Sequence, residues 1–536
     1  MKIFELSLRY LKKYKIRLFI YVALSILCSI LNLISPYING KLVDKLLFAN
    51  NVKVIIIYIL VLILIVLLQL IFGYITRILF TKIQIKCGYQ LNKYILDHVK
   101  RLPLNFFENK DFSYLNQKIN NDSNNIIIFS IQIISDLIIN ILTLLCSLYF
   151  IVNINYKIIF IAIFLVIAYI FLYTFMKNII YSKEFKLKEK QAIFFASLYR
   201  QLSNIRFLKL HSEYEIFDKS LENDVSNLYN SALESQNVNY MFLTIEKLLT
   251  LLATMLILII GSIQVISGNL SIGIFTTLSS YFSIFLAAIN YFLSLGQNYQ
   301  NVLVCHTRIQ EILSISPELN GKAIIENINS VILKDLSFSY RDEYIIKDFN
   351  YIFEINNIYC IIGENGIGKS TLIDIILGMH LNECEGELLY NNINIKNLNM
   401  DDLRKNLVGI TAQVPFVIND TIFNNLNLYT RTIDETMVNK LSTILKLTDK
   451  NSKSNFSGGE KQKISLIREL IYTPQLIILD EPTTGLDFES KLNLIEHINS
   501  LRNNRIIIIV THDSEILKIA DEIIDLTKIK LSANLV

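Results

Sequence analysis

The sequence predicts two unlike halves in one chain of 536 residues: an all-α half that crosses a membrane six times, then an α/β half built on a parallel sheet. Three observations predict it. Hydrophobic residues make up 52% of the chain and charged residues only 18%, too apolar a balance for a wholly soluble protein. The apolar residues come in long blocks up to about residue 300 and, beyond about 330, in short runs such as CIIG, LIILD and RIIIIV bounded by turn residues. Long blocks suit spanning helices, and short runs suit strands buried on both faces. Finally, the chain has only 17 glycines, yet three fall at 363–368 and two more at 458–459, a clustering that implies backbone approaching a ligand.

The N-terminal segment MKIFELSLRYLKKYKIR is amphipathic and basic, and the apolar run after it is long enough to span, so an uncleaved anchor is expected there. Six spans follow at about 17–37, 54–80, 127–152, 157–178, 243–267 and 272–297, each near the ~20 residues that a hydrocarbon core requires. Arg9, Lys12, Lys13, Lys15 and Arg17 place the N-terminus in the cytoplasm by the positive-inside rule. The loops at 153–156 and 268–271 are then external. The segments 81–126 and 179–242 are long, charged and helical in pattern, and are best understood as membrane helices continuing into the cytoplasm. Residues from 298 to 330 look like a polar connector. The expected domains are a membrane domain over 1–310, a linker over 311–330 and a second domain over 331–536, where short apolar runs alternate with helical ones in a βαβ pattern.

A net charge of +4 with no basic tract argues against a nucleic-acid partner. The six cysteines are scattered without a C-x-x-C pair, so neither a zinc site nor a disulfide framework is expected. Tryptophan is absent while Ile, Asn and Lys abound, a composition typical of AT-rich coding.

Within the second half, GENGIGKST at 363–371 fits the G-x-x-x-x-G-K-[ST] pattern through Gly363, Gly368, Lys369 and Ser370. Such a loop, with Asn365, Gly366 and Thr371 inside it, turns backbone N–H groups toward phosphate at a helix N-terminus. Lys369 would reach the β- and γ-phosphates, and Ser370 would bind Mg2+. The loop is followed in order by Gln413, FSGGE at 456–460, LIILDEP at 476–482 and His512.

This combination resembles the ATP-binding cassette (ABC) superfamily, and with six spans ahead of it the chain resembles a half-transporter of the exporter group that includes bacterial multidrug, lipid A and microcin exporters. SPYINGKLVDKLL at 35–47 resembles the end of that group's first span, and RLPLNFFEN its first cytoplasmic coupling region. The resemblance implies an α/β P-loop nucleotide-binding domain with a helical subdomain, ATP and Mg2+ as cofactors, and a domain-swapped homodimer. It implies roles for particular residues as well. Tyr340 would stack on adenine, and Gln413 would touch Mg2+ and the attacking water. Asp480 would hold Mg2+, Glu481 would act as general base, and His512 would contact the γ-phosphate. Ser457, Gly458 and Gly459 correspond to the LSGGQ signature, which in the family acts on nucleotide held by the opposite cassette, and Asp487 resembles the loop coupling the two sites. Two features depart from the family: the stretch before the signature reads TDKNSKSN, and the C-terminal end is short.

The implied function is ATP-driven export of an amphipathic compound, preferably a small peptide or natural product, by alternating access. The expected setting is the inner (cytoplasmic) membrane, multi-pass, with membrane lipid around the spans and the cassette in the cytoplasm. A lipid or glycolipid flippase, a metal-chelate importer and a regulatory or channel-like membrane ATPase are the alternatives. Polar residues within the spans are candidate cavity groups, with Asp136 foremost and Asn140, Tyr281 and Asn290 beside it.

Overall fold

The computed structural model describes residues 2–48, 52–108, 112–156, 158–340, 343–381, 383–428, 434–447 and 456–528. The TDKNSKSN stretch at 448–455 and the tail at 529–536 therefore lie outside the described residues. Two compact units emerge, Met1–Leu102 with Phe106–Ser316, and Pro103–Asn105 with Pro317–Val536.

The first unit opens with an amphipathic helix, α1 (Lys2–Leu11), which buries Ser7, Tyr10 and Leu11. Six long helices follow: α2 (Lys15–Phe48), α3 (Val52–Val99), α4 (Ser123–Ile154), α5 (Ile158–Ser203), α6 (Tyr214–Ile266) and α7 (Ile272–Leu313). All six are long and apolar enough to cross a membrane. A helix is what such sequences must form in lipid, because no water is available to satisfy backbone groups left unpaired. With 53 residues, α6 is about 80 Å long, far beyond a hydrocarbon core of ~30 Å. The charged segments are thus continuations of membrane helices rather than loops.

Helix α7 is the most buried of the six, and its faces, like those of α2 and α4, enter both hydrophobic clusters of the unit. Its N-terminal end is held to α2. Asp44 accepts from the backbone N–H of Gly273 at 2.7 Å and from the Ser271 hydroxyl at 2.8 Å, reinforcing the helix start. Gly273 is glycine for a steric reason: a Cβ there would lie 2.1 Å from the carbonyl oxygen of Gly40. One and two turns further along, Thr277 donates to the Pro36 carbonyl at 3.4 Å and Tyr281 to the Leu33 carbonyl at 2.9 Å.

The expected polar connector starting at 298 is not what the chain forms, because α7 runs unbroken to Leu313. Its polar residues are there to bury charge. The Arg308 side chain, 2% exposed, reaches Asp122 at 2.9 Å and Glu189 at 3.0 Å, tying α7 to α5 and to the π-helical turn Lys118–Asp122 that leads into α4. Composition read this polarity as a linker because ion pairing between distant residues leaves no mark on local sequence.

The second unit contains two sheets. One is antiparallel, in the order β2-β1-β4-β5, with β1 Ser330–Tyr340, β2 Glu343–Glu354, β4 Glu385–Tyr390 and β5 Ile393–Asn394. The other is parallel, in the order β6-β7-β8-β3-β9, with β3 Asn357–Ile362, β6 Val408–Thr411, β7 Leu476–Asp480, β8 Ile506–Val510 and β9 Glu522–Asp525. Strand β8, IIIIV, is buried at every position, which is why the run is uniformly apolar rather than alternating. Side chains still alternate between faces. Ile506, Ile508 and Val510 enter one hydrophobic cluster, while Ile507 and Ile509 enter the other with α9 (Gly458–Leu470) and α10 (Phe488–Ser500). Each such isoleucine contributes ~1.5–3 kcal/mol of burial, so the sheet is a rigid platform for whatever its edges carry.

Candidate nucleotide site

Four loops leave the carboxyl ends of adjacent parallel strands, which is where open α/β sheets hold ligands. The glycine-rich loop leaves β3, Gln413 follows β6 by two residues, Glu481 follows β7 directly, and Thr511-His512 follows β8. The lateral register Asp480↔Val510 and Ile361↔Val510 puts three of these exits at one level.

The first three of these loops wall a cavity of about 480 Å³ lined by Asn365, Gly366, Gly368, Lys369, Ser370, Thr371, Gln413, Asp480 and Glu481, with Ile345 and the β8 end residue Val510 as apolar walls, while Gly363 and His512 lie outside the lining. The loop's conformation requires its glycines at two points. Gly366 has φ +81° and open space around it, and Gly368 has φ +113°, where a Cβ would also strike Ile345 at 2.6 Å. Beyond Gly368 begins the helix α8 (Lys369–Ile376 in residue range, preceding α9 in the chain), whose start has no side-chain cap, so its first N–H groups are free for an anion.

Lys369 Nζ donates to the loop carbonyl of Gly363 at 2.5 Å and lies 3.0 Å from His512 Nε2. An ammonium has only donors, so Nε2 accepts and the ring proton sits on Nδ1. The lysine therefore links the β3 and β8 exits across the cavity. Asp480 and Glu481 line the same space, and burial, then the neighbouring Glu481 carboxylate, pushes the Asp480 carboxyl above its ordinary range while Lys369 opposes this. Two adjacent carboxylates beside a serine hydroxyl form a hard-oxygen set suited to Mg2+. Among the described residues no group of three His, Cys, Asp or Glu could cage a metal alone, so a cation here would need phosphate oxygens as further ligands. The residues present thus fit a nucleotide phosphate chain with its magnesium.

Glu481 itself is held in a left-handed conformation, φ +51°, uncommon for a non-glycine residue. Its backbone N–H donates to the Val510 carbonyl at 2.9 Å, and Thr484 donates to its Oε2 at 3.1 Å. Such a conformation costs of order 1 kcal/mol and aims the side chain from the strand end into the cavity.

The signature residues and Asp487 are not part of this cavity's lining. Ser457 caps α9: its hydroxyl accepts from the Glu460 N–H at 3.3 Å, and its own N–H donates to Glu460 Oε2 at 2.8 Å. This reciprocal capping box explains why glutamate serves in FSGGE, and the S-x-x-E spacing was available in the sequence. Asp487 caps α10 through Ser490 and accepts from Lys463 of α9 at 2.9 Å. The Ser490 N–H, then Lys463, hold its carboxyl well below the usual carboxylate range. The Lys463–Asp487 pair gave no sequence signal, being a tertiary contact. The backbone of Tyr340 ends β1, and its side chain lies outside the described residues.

Of the four candidate cavity residues in the membrane unit, Asn140 lines a separate cavity of about 480 Å³ among α2, α3, α4 and α7. Asp136, Tyr281 and Asn290 are not in its lining. Asp136 accepts from the Ser135 hydroxyl at 2.8 Å. Tyr281 is 1% exposed and stacks on Phe150 at 4.6 Å, packed between helices.

Two family models match the chain: the ABC transporter transmembrane region over residues 18–289 and the ABC transporter family over residues 346–484. A membrane region and a cassette fused in this order make the chain a multi-pass membrane protein, and it belongs to the ABC transporter family. It is 27% identical over 349 residues to the lactococcin-G-processing and transport ATP-binding protein LagD of Lactococcus lactis subsp. lactis, covering 61% of this chain and 49% of that one. It is 26% identical over 314 residues to an ATP-dependent lipid A-core flippase of Idiomarina loihiensis, covering 55% and 53%. The chain spans about half the length of these relatives. In fold it is similar to a bacterial Atm1-family ABC exporter solved with ATP bound, with a TM-score of 0.85, 17% identity and coverage of 95% of this chain and 93% of that one.

Proposed function

We propose that the chain is an ATP-driven exporter that works as a homodimer in the cytoplasmic membrane, with its cassette in the cytoplasm. One observation carries the reading: the cavity at the strand ends holds Lys369, Ser370, Gln413, Asp480 and Glu481, whereas Ser457 and Gly458 lie outside its lining. A Cβ at Gly458 would meet nothing within 4 Å, so this chain's own packing does not require the glycine. A second copy, offering its Ser457 and Gly458 to nucleotide held here, supplies the requirement and completes two equivalent sites.

Within each site the division of labour follows from chemistry. The loop N–H groups and Lys369 neutralise phosphate charge, and Ser370 and Asp480 hold Mg2+. Mg2+ held there would supply charge neutralisation to the phosphate chain. Glu481 takes the proton from the attacking water, Gln413 and His512 orient that water and the γ-phosphate, and Tyr340 stacks on adenine. Asp487 holds the signature helix in register with the loop that leads from Glu481. The cargo is an amphipathic compound, preferably a small peptide, by analogy with a relative named for lactococcin G transport. The relative named as a lipid A-core flippase favours a second reading, lipid flipping, which would leave the cargo in the bilayer rather than in the aqueous phase.

The test is ATP hydrolysis by the purified chain in nanodiscs, with and without Glu481→Gln, while oligomer mass is recorded. Turnover by a two-copy assembly, lost in the variant, is the expected result. An intact two-copy assembly without turnover would overturn the claim of two self-sufficient sites.

A further inference from the structure

Gln413 lines the nucleotide cavity from a loop with little to hold it. The loop leaves β6 at Thr411, and its own side chains anchor it poorly, since Ala412, Gln413, Val414 and Phe416 are all exposed. Its far end is fixed. Asn425, buried in the short helix Ile422–Leu426, accepts from the Ile418 N–H at 2.8 Å and donates to the Ile418 and Thr421 carbonyls at 3.0 Å each. Between these ends, from Ala412 to Val417, a single hydrogen bond is found among the described residues: Arg468 donates from Nη1 to the Phe416 carbonyl at 2.9 Å.

Arg468 lies in the last turn of α9, the helix that Ser457 caps at its start, and is 6% exposed. Burying a guanidinium is unfavourable unless it is paired, and the adjacent Glu469, also buried, accepts from its Nε at 3.2 Å. An apolar side chain of similar volume would serve as well or better if packing were all that the position required. What the guanidinium adds is a fork. One nitrogen serves Glu469 and another holds the Phe416 carbonyl, three residues from Gln413.

We propose that Arg468 is a positioning residue for Gln413: by holding the Phe416 carbonyl, the signature helix sets where the Gln413 amide sits in the cavity. The inference rests on the reading above, in which Gln413 orients the attacking water beside Mg2+, and adds the residue through which Gln413 is placed. Arg468 is not in the cavity lining, so it acts on the reaction through the loop alone.

A double-mutant cycle on the full chain in nanodiscs tests it, with Gln413→Ala, Arg468→Lys and the two together. Turnover, the half-saturating Mg2+ concentration, Mg2+-free ATP binding and the unfolding midpoint are measured for each. Lysine keeps the charge that Glu469 pairs with but lacks the fork that reaches both partners. Arg468→Lys is expected to lower turnover roughly ten-fold, as the loss of one hydrogen bond from a charged donor implies, and to raise the Mg2+ requirement. Mg2+-free ATP binding should be unchanged. Once residue 413 is alanine, Arg468→Lys should have no further effect on turnover or on the Mg2+ requirement. Arg468→Met with Glu469→Gln, which removes both charges together, should give the same pattern and replaces the lysine variant if that one fails to fold. Three results would overturn the proposal while sparing the role of Gln413: losses that multiply in the double variant, turnover that falls only in step with the unfolding midpoint at an unchanged Mg2+ requirement, or Arg468 variants that behave as the unmodified chain. A silent Gln413→Ala would instead defeat the role given to Gln413, and the proposal with it.

Discussion

Gly459 stands back to back with Gly485: a Cβ at 459 would lie 2.6 Å from the Gly485 carbonyl oxygen. The signature helix thus meets the loop after Glu481 backbone to backbone, and two adjacent glycines of one motif answer to different neighbours. Gly459→Ala is expected to overpack that junction and destabilise the cassette by about 1–3 kcal/mol, seen as a lower unfolding midpoint. Gly458→Ala should leave the midpoint unchanged or slightly higher and still depress ATP turnover. If both variants unfold alike, the distinction drawn between them is wrong.

Glu481→Gln should lower turnover at least 100-fold while nucleotide still binds, because removal of the proposed general base leaves the phosphate contacts in place. Thr484→Val, which deletes the hydroxyl donating to Glu481, should cost far less, roughly three- to ten-fold. Single-turnover hydrolysis alongside a nucleotide-binding titration distinguishes these cases.

The Asp487 carboxyl, held low by the Ser490 N–H and by Lys463, makes a pH-dependent contribution. A depressed acid stabilises above its unfolded pKa of ~3.9 and loses that contribution as pH falls through the folded value. Asp487→Asn should therefore lower the unfolding midpoint at pH 7, and the gap to the unmodified chain should narrow as the pH is taken below about 4. A gap constant with pH would show that the carboxylate charge is not what holds the two helices.

In the membrane unit, Asp122→Asn leaves Arg308 buried with one charged partner fewer. Because Glu189 still pairs with Arg308, a loss of about 1–3 kcal/mol is expected, whereas the triple change Arg308→Met with Asp122→Leu and Glu189→Gln, which leaves no unpaired charge, should recover most of it. Proteolytic resistance in detergent is the readout, and equal damage from the single and triple changes would contradict this account.

The sequence made the cassette legible because phosphate chemistry imposes fixed residue types at fixed spacings: the loop at 363–371, the Asp480–Glu481 pair and His512 all lie at the ends of parallel strands. The six apolar helices were legible for a similar reason, since lipid leaves the backbone no other choice. What escaped were relationships between distant positions. The polar run at 298–313 carries no local sign that Arg308 is paired with Asp122 and Glu189, so it looked like a connector.

Helix α7 has half of its most apolar window buried, against 6% for α3. It is also the last of the six to be synthesised. Its Tyr281 reaches the Leu33 carbonyl of α2 and stacks on Phe150 of α4. The helix that comes last in the chain is thus the one that joins the first span to the middle of the unit, through a contact between residues 248 positions apart.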